Sequence, residues 1–569
     1  MRKFLIELIK PTHYDDDGYT IQWKKAWVPS NSLGCLYGLC TDLKKRRVLG
    51  DDVKILINAY DESNTIIPIK KIIQRFNQNN NSGLVCMVGV QTNQYPRAID
   101  LAKEFRSQGI NVAIGGFHVS GSIAMFKEMP AELKEALDLG IILFAGEAED
   151  RLEQFFLDVF HGCAKPLYNF MNDLPSLENQ PLPFLPDQMV RRYADELATY
   201  DAGRGCPYLC SFCTIINVQG RKSRHRTADD VEQLLRINIT QGTKRMFITD
   251  DNFARNRNWE AIFDRLIELR ENQNIGLDFT MQVDTMCGRI PNFIEKAARA
   301  GCSSVFIGLE SINAENLNGV RKKQNRVGEY RNMLLAWRNV GVVTYCGYIL
   351  GFPSDTPESI ERDIKLIQDE LPIDILEFFF LTPLPGSADH KQVSEAGKWM
   401  NPDLNIYDLE HVTTSHEIMS RKQWEDIYNK AWDLYYSPQH VKTLIRRAVA
   451  SGINPIKIVY AIMRFHGSIR FEGVHPLQSG FSRLKLRKQR RPSLPQENAL
   501  FFLLKHSWKI LSTKVRYQFY LQKLLRLMKK IQADPESSHY TDKALTLIEN
   551  APCSSSSNSN STARSSLTA

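Results

Sequence analysis

Two series of alternating strand-like and helix-like segments constrain this sequence more than any other feature. In the first, the apolar runs VKILINAY (Val53–Tyr60) and LVCMVGV (Leu84–Val90) have the composition of buried strands. Between them, IIPIKKIIQRF (Ile66–Phe76) has the spacing of an amphipathic helix, and Pro96–Gln108 is a second helix with proline in its first turn. Strands that alternate with helices predict a parallel, doubly wound α/β sheet.

The second series predicts a separate domain built as a partial barrel. It follows a proline-rich stretch, LPSLENQPLPFLP, which has the composition of a linker. The predicted strands are Ala198–Ala202, Lys244–Asp250, Leu277–Val283, Ser303–Glu310, Val342–Ile349 and Ile373–Leu381. Six consecutive βα units predict a closed or partly closed (βα)6 barrel, in which the chemistry lies at the carboxyl ends of the strands.

These patterns divide the chain into five segments. Residues 1–170 form the doubly wound domain with an N-terminal extension, residues 171–196 the linker, and residues 197–400 the barrel. Residues 401–545 are predicted to form a basic helical region. The serine-rich segment 546–569 cannot bury a core and is predicted to be a disordered tail.

Composition favours a cytoplasmic protein. Eleven cysteines in 569 residues are too few, and an odd number, for a disulfide scaffold. The N-terminus, MRKFLIELIK, has a glutamate inside its apolar run and no cleavage site, unlike a signal peptide. The longest uncharged stretch, Asn339–Ser354, is shorter than the roughly 18–20 residues that span a bilayer.

Three cysteines lie close together directly after the first predicted barrel strand. Cys206, Cys210 and Cys213 have the spacing C-x3-C-x2-C. Three thiolates can hold three irons of a four-iron, four-sulfur ([4Fe-4S]) cube and leave the fourth iron open for another ligand. The alternative is a structural zinc site, which usually takes four ligands as two pairs. No second pair of cysteines lies nearby, so the spacing favours the cluster.

This segment resembles the radical S-adenosylmethionine (SAM) superfamily, whose signature has this spacing with an aromatic residue, here Phe212, before the third cysteine. The resemblance implies that SAM binds the open iron. One electron then cleaves SAM to methionine and a 5′-deoxyadenosyl radical, which abstracts hydrogen from a substrate. It also implies SAM contacts at Asp250, Glu310, Ser311 and Gly351, which match the family's strand-end positions. The sequence assigns no catalytic acid or base.

The first domain resembles the cobalamin-binding domain that precedes the barrel in many radical SAM enzymes. The matching residues are Thr92, Asn93 and Gln94 at one strand end and Gly115 and Gly116 at the next. Glycine lets a flat ligand approach the backbone closely, and strand ends at the switch point are where such sheets bind ligands. The resemblance implies that these five residues border cobalamin. The alternative is a domain that keeps the fold and has lost the ligand.

The cobalamin motif D-x-H-x-x-G, which supplies a histidine to cobalt in many methyl-transferring proteins, is absent. The loop after the first predicted strand reads Ala59-Tyr60-Asp61-Glu62-Ser63 instead. His118 lies in GGFH, a position that is not an axial ligand in the resembling family. The resemblance therefore implies that cobalamin would bind without a protein histidine on cobalt.

Charge is concentrated near the C-terminus. Residues 441–530 carry 20 Lys and Arg against 2 Asp and Glu, whereas the rest of the chain is mildly acidic. A dense basic run, Arg483–Arg491, precedes a segment in which aromatic residues and leucines alternate with Lys and Arg. This pattern favours a helix lying in a membrane interface. The alternatives are a helical cap with a solvated basic face and nucleic-acid binding, which lacks a recognisable module. The triplet Asp15-Asp16-Asp17 is expected to be a solvated turn.

These observations together predict a radical SAM enzyme. The implied substrate is a small molecule or a lipid, and the implied reductant is a protein such as flavodoxin or ferredoxin. If cobalamin is present, the implied reaction is methylation of a carbon atom. The alternatives are radical rearrangement, cyclisation or C–S bond formation without methyl transfer. An alternative of another class is a regulatory protein that binds SAM or cobalamin without turnover. A cytoplasmic location is expected, with peripheral contact at the inner face of the membrane.

Overall fold

A computed structural model describes residues 2–548 and contains two six-stranded parallel sheets, which confirms the predicted α/β class. Most of the predicted disordered tail lies outside the described residues. The strands of the N-terminal sheet are β1 (Arg2–Lys10), β3 (Val53–Asp61), β4 (Gly83–Met87), β5 (Val112–Gly115), β6 (Ile142–Ala145) and β7 (Leu167–Asn169). The helices of this domain are α1 (Asn31–Arg46), α2 (Ile69–Asn77), α3 (Tyr95–Arg106), α4 (Phe117–Met125), α5 (Ala131–Asp138) and α6 (Leu152–Phe160).

The first strand of this sheet was not predicted. The sheet order is β3-β1-β4-β5-β6-β7, so β1 lies inside the sheet and the N-terminal residues are not an extension. Glu7 interrupts the apolar run of β1, but its buried carboxylate pairs with Arg75 of α2 at 2.9 Å. Because the order reverses between β1 and β4, the crevice outside their carboxyl ends is the expected ligand site.

The barrel has the predicted strands in sequential order. They are β8 (Leu197–Tyr200), β11 (Arg245–Ile248), β12 (Asp278–Val283), β13 (Cys302–Glu310), β14 (Val343–Leu350) and β15 (Ile375–Phe380). The larger helices between them are α9 (Ala228–Thr240), α10 (Trp259–Gln273), α11 (Phe293–Ala300), α13 (Tyr330–Asn339) and α14 (Pro357–Glu370). Thr227 and Asp230 form a reciprocal capping box at the start of α9, as their spacing indicates.

The C-terminal region is mostly helical, as predicted, but it also contributes a strand. Its long helices are α16 (Arg421–Tyr435), α17 (Pro438–Ala450), α18 (Pro455–Gly467) and α19 (Ala499–Gln532). Helices α16 to α18 share the hydrophobic core of the barrel. Strand β16 (Gly480–Leu484) pairs antiparallel with β2 (Gln22–Ala26) and ties this region to the N-terminal domain. Within residues 2–548, no helix is both long and apolar enough to cross a bilayer.

The triplet Asp15–Asp17 lies in a turn, as expected, but only Asp16 is exposed to solvent. Asp15 pairs with Arg483 at 2.8 Å and with Lys485 at 2.6 Å, and Lys485 also reaches Asp17 at 3.0 Å. Asp16 pairs with His411 at 3.2 Å. The triplet therefore neutralises part of the dense basic run, which the sequence pattern alone assigned to solvent or a partner.

Candidate active site

The cysteine loop follows β9 (Gly203–Arg204) and ends at the short helix α8 (Ile215–Val218). Gly205 has φ +90°, and a Cβ there would overlap the carbonyl oxygen of Lys222, so glycine is required at the turn into the loop. Backbone hydrogen bonds then fix the cysteines: the Cys206 N–H donates to Gly220 at 3.2 Å and the Cys213 N–H donates to Cys210 at 3.2 Å. The three predicted ligands thus lie on one constrained loop at the carboxyl end of the barrel.

Burial keeps the three thiols protonated in the absence of a metal, so their binding as thiolates would release protons. Burial raises the pKa of all three thiols, that of Cys213 to about 12. Gln324 Nε2 donates to Cys210 Sγ at 3.5 Å, a contact that also stabilises a thiolate. No three Cys, His, Asp or Glu side chains among residues 2–548 surround a single-ion site. A 4Fe–4S cluster requires a different arrangement, because each thiolate binds a different iron atom.

Asp250 holds the strand end that leads into this loop. Its carboxylate accepts hydrogen bonds from the Ala202 N–H at 2.7 Å, the Gly203 N–H at 2.8 Å and Asn256 Nδ2 at 3.0 Å. Burial raises the pKa of Asp250 to about 7. The Asp250 carboxylate, which was predicted to contact SAM, is therefore already hydrogen-bonded to the amides of Ala202 and Gly203. The neighbouring Asp251 lines the cleft described below.

Glu310 is held in a strained position by Lys322, a residue that sequence analysis missed. It ends β13 with φ +63°, which is unusual for a residue with a side chain, and such strain is concentrated at functional sites. Lys322 pairs with the Glu310 carboxylate and donates to the Gly308 carbonyl at 3.0 Å. Its ammonium also lies 6.0 Å from the centre of the Phe212 ring. The structure thus brings Phe212 and Glu310 together beside the cysteine loop.

Ser311 and Gly351 have local structural partners. The Ser311 hydroxyl accepts a hydrogen bond from the Asn313 N–H at 3.0 Å. Gly351 has φ +103°, and a Cβ there would overlap the indole of Trp424 in α16. Packing of the C-terminal helices against the barrel is sufficient to require this glycine.

An apolar cavity of about 180 Å³ lies at the carboxyl ends of β4, β5 and β6 under α1. Gly115, Gly116 and Gly146 form part of its wall, with Cys35 and Leu39 opposite. Gly116 has φ +141°, and a Cβ would overlap the Val90 backbone, so a bulky residue at 116 would disturb the turn itself. Gly115 and Gly116 thus line this cavity, although the backbone turn alone is sufficient to require glycine at position 116.

This cavity opens into a larger cleft of about 550 Å³ between the two domains. The residues common to both are Asn31, Ser32, Gly89, Phe117, Arg204 and Gln219. Thr92, Asn93 and Gln94 form a short 3-10 helix on the N-terminal side of the cleft. Thr214, directly after Cys213, and Asp251 line the barrel side. The cleft thus joins both predicted cofactor regions.

The cleft also contains a histidine that the sequence analysis did not identify. His13 follows β1, is buried, and lines the cleft. Burial lowers the pKa of His13 to about 4, so its imidazole is neutral at pH 7. Strand β1 was not predicted, so the sequence pattern did not place this histidine after a strand. His118 packs against Thr92, with 3.4 Å between Nδ1 and Oγ1, and is not part of the cleft wall.

Arg204 joins the two domains next to the cysteine loop. Its guanidinium contacts Glu147 at 2.6 Å, Glu149 at 2.7 Å and Asp201 at 3.0 Å. Glu147 and Glu149 follow β6 of the N-terminal domain, whereas Arg204 lies two residues before Cys206. We call Arg204 and these three carboxylates the interdomain clasp. No local sequence pattern predicts this cluster, since its members come from two domains.

The barrel and its cysteine loop define the class of protein. Residues 200–367, which contain most of the barrel and the cysteine loop, match the model of the Radical SAM superfamily. A Radical SAM domain implies a 4Fe–4S cluster and SAM as cofactors.

Several relatives are methyltransferases. The chain is 28% identical over 316 residues to a bacteriochlorophyllide d C-12(1)-methyltransferase of Chlorobaculum tepidum, covering 54% of this chain and 64% of the relative. It is 23% identical to a hopanoid C-2 methylase of Rhodopseudomonas palustris, covering 55% and 59%. These alignments span less than two thirds of either relative.

Solved structures share the arrangement of domains. The radical SAM methyltransferase TsrM from Kitasatospora setae superposes with a TM-score of 0.57 at 14% identity, covering 76% of this chain and 90% of that one. The cobalamin-dependent radical SAM enzyme OxsB gives 0.52 at 13% identity, covering 95% and 82%. At these identities the likeness shows the fold alone.

Proposed function

We propose that this protein is a cobalamin-dependent radical SAM enzyme that methylates a carbon atom of a small-molecule or lipid substrate. One observation carries the proposal: the cleft of about 550 Å³ is bounded by the strand ends of the N-terminal domain and by the residue that follows Cys213. A ligand on the first domain and a ligand on the cysteine loop would therefore face the same chamber. The methyltransferase relatives support this choice of reaction.

The cysteine loop fits a 4Fe–4S cluster with one open iron. When bound, the cluster supplies the electron that cleaves SAM. Lys322 places a positive charge beside Cys210 and holds Glu310 at the end of β13. A cation near the thiolates offsets their negative charge, and Glu310 is positioned for the polar groups of SAM.

The N-terminal domain fits cobalamin through the apolar cavity and the adjoining cleft. The cavity of about 180 Å³ is narrow and largely apolar, and it opens at Gly89 and Phe117 into the cleft. This shape suits the slender nucleotide tail of cobalamin, with the corrin ring in the cleft. Thr92, Asn93 and Gln94 offer polar groups at the edge of the cleft. His13, a neutral imidazole, lines the same cleft.

Methylation by this route consumes two molecules of SAM and two electrons. One SAM is cleaved to methionine and 5′-deoxyadenosine, which retains the hydrogen taken from the substrate carbon. The other gives up its methyl group and leaves as S-adenosylhomocysteine. The electrons come from a reducing protein, for which we propose a flavodoxin or ferredoxin.

The test is product analysis with the anaerobically reconstituted protein. With cobalamin and a reductant, SAM should yield both 5′-deoxyadenosine and S-adenosylhomocysteine. Without cobalamin, only 5′-deoxyadenosine should form. Replacing Cys206, Cys210 or Cys213 by Ala should abolish SAM cleavage, whereas Cys163→Ala, at an exposed cysteine outside the loop, should not.

Three outcomes would contradict parts of the proposal. One zinc per chain and no iron would exclude the cluster. Cleavage of SAM that ignores cobalamin would favour rearrangement, cyclisation or C–S bond formation. Tight binding of SAM or cobalamin without any cleavage would favour a regulatory protein.

We also propose a cytoplasmic location with peripheral contact at the membrane. None of the ten cysteines in the described part of the chain forms a disulfide, which suits a reducing compartment. The contact is assigned to the basic C-terminal region, where cations and apolar side chains lie on one helix.

A further inference from the structure

The helix α19 presents an uninterrupted apolar stripe to solvent. Its members are three or four residues apart, which places them on one face. They are Leu500, Leu504, Trp508, Leu511, Val515 and Phe519. Trp508 is 72% exposed and Phe519 is 69% exposed. Single exposed apolar residues are ordinary, but a continuous row over about five turns marks an interaction surface.

The opposite face of α19 fixes the orientation of this stripe. Leu524, Met528 and Ile531 are buried in the core shared with the barrel. Nearer the N-terminus of the helix, His506 is buried against the ring of Tyr19, with 5.3 Å between ring centres. The Tyr517 ring packs on Phe471 with centres 5.1 Å apart. Because one face is anchored along its length, the stripe faces outward.

The cations of α19 are largely unpaired. The helix contains eight Lys and Arg residues and no Asp or Glu. Lys505 pairs with Glu497 at 3.1 Å. The remaining cations form no ion pair with a carboxylate of residues 2–548; they are Lys509, Lys514, Arg516, Lys523, Arg526, Lys529 and Lys530. In the dense basic run, by contrast, Arg483, Lys485 and Arg491 all have carboxylate partners.

We propose that α19 docks flat on an anionic membrane, with the apolar stripe among the lipid chains and the unpaired cations on the headgroup phosphates. This inference rests on the peripheral contact proposed above and identifies the element responsible. Burial of apolar area and attraction to anionic lipid act together in such a helix. Pairing with a second copy of this chain would bring two unpaired cationic faces together, and nucleic acid would leave the stripe in water.

Docking through α19 would hold the cleft beside the bilayer. Leu477 and Ser479 line the cleft, and the next residue begins β16. Helix α19 contacts β16, so one strand separates the docked helix from the wall of the cleft. This placement suits a substrate that reaches the cleft from a lipid surface.

The test is co-sedimentation of the reconstituted protein with two kinds of vesicle at low ionic strength. One is phosphatidylcholine alone, and the other contains equal parts of phosphatidylcholine and phosphatidylglycerol. We expect binding only to the anionic vesicles, with a blue shift of Trp508 fluorescence that Trp508→Phe removes. The triple variant Leu504→Ser, Trp508→Ser, Phe519→Ser should weaken binding by about tenfold or more. Trp399→Ser, at an exposed tryptophan elsewhere on the surface, should leave binding unchanged.

Two charge-reversing substitutions test the contribution of the unpaired cations of α19. Lys514→Glu with Lys523→Glu should weaken binding and reduce its salt dependence. Lys70→Glu with Lys71→Glu, at two exposed lysines of α2 that form no ion pair within residues 2–548, is the matched control. Circular dichroism and SAM cleavage should be unchanged in all of these variants, because none of the residues lies at the cleft.

Several results would overturn the docking proposal. These are equal binding to both vesicles, no binding at all, insensitivity to the stripe variants, or a stripe-dependent change in oligomeric state or RNA binding. A protein that cleaves SAM but ignores vesicles would refute only membrane docking. A protein that binds anionic vesicles but never cleaves SAM would refute only the radical SAM function.

Discussion

The interdomain clasp and helix α19 use the same charged residue types in opposite ways. Arg204 is almost enclosed by Glu147, Glu149 and Asp201, and its contacts join two domains. Lys514 and its neighbours on α19 are exposed and have no carboxylate partner in the described chain. A buried cation needs a carboxylate because desolvation is costly, whereas an exposed cation remains available for a partner outside the chain. Whether a cation is buried, more than whether it lies in a basic run, indicates its role. A buried cation stabilises the fold, and an exposed one is available to bind a partner.

The largest effect is expected at the clasp. Arg204→Met would leave Glu149 buried without a cation, which costs about 3–5 kcal/mol, whereas Glu147 keeps Arg224 and Asp201 keeps Arg226. We expect urea unfolding of the cofactor-free protein to show this loss, or the variant to be recovered unfolded. Arg204→Lys keeps one charge but loses the forked geometry, so its loss should be smaller.

Arg265→Met is the matched control for this prediction. Arg265 contacts Asp229 and Glu232, both at 2.6 Å, but it lies on the surface of the barrel. Its removal should cost no more than about 1 kcal/mol. Equal losses in the two variants would mean that the clasp is no stronger than a surface ion pair.

The next largest effect is expected at Asp250, whose buried carboxylate we expect to stabilise the fold through its hydrogen bonds. Asp250→Ala leaves the amides of Ala202 and Gly203 without an acceptor, at a cost of about 1–3 kcal/mol. The loop after them should then retain less iron. Asp250→Asn can still accept both hydrogen bonds and should retain it.

Iron content and the KM for SAM separate the two roles of Asp250. A structural role predicts that only Asp250→Ala loses iron. A direct contact with SAM predicts that Asp250→Asn keeps its iron while its KM for SAM rises, because the charge has been removed.

These assignments show what the sequence could and could not predict. The barrel strands and the cysteine loop follow from local signals: apolar runs, capping residues and the spacing of Cys206, Cys210 and Cys213. Strand β1 was missed because Glu7 interrupts its apolar pattern, and only the fold supplies Arg75 as its partner. Local patterns also do not identify Lys322, His13 and Arg204. Their importance depends on which distant residues surround them.

A third prediction concerns acid sensitivity of the clasp. Burial alone would raise the pKa of Asp201 and Glu149, but Arg204 at both, together with Arg226 at Asp201, outweighs it and holds both pKa values below their usual range. These carboxylates therefore stabilise the fold above a pH of about 4, near their unfolded values, and this contribution is lost as pH falls further. In Arg204→Lys the pKa values should lie closer to normal.

The measurement is the difference in unfolding free energy between the wild type and Arg204→Lys as a function of pH. The difference should be constant between pH ~7 and ~5 and should narrow below about pH 4. A difference that persists unchanged at low pH would show that Arg204 stabilises the interface by packing alone.

The smallest change in unfolding free energy is expected at Lys514, an exposed cation of α19. Lys485 and Lys514 belong to the same basic region, but Lys485 is buried between Asp15 at 2.6 Å and Asp17 at 3.0 Å. Lys485→Met should lower the unfolding free energy by about 1–3 kcal/mol, because it leaves Asp15 and Asp17 short of a partner. Lys514→Met should change it by less than about 0.5 kcal/mol, since no carboxylate depends on it. Vesicle binding should show the reverse order, with Lys514→Met weaker than wild type and folded Lys485→Met unchanged. If both lysines affected stability alike and neither affected binding, the cations of α19 would belong with those of the clasp, and the division between cohesion and recognition would fail.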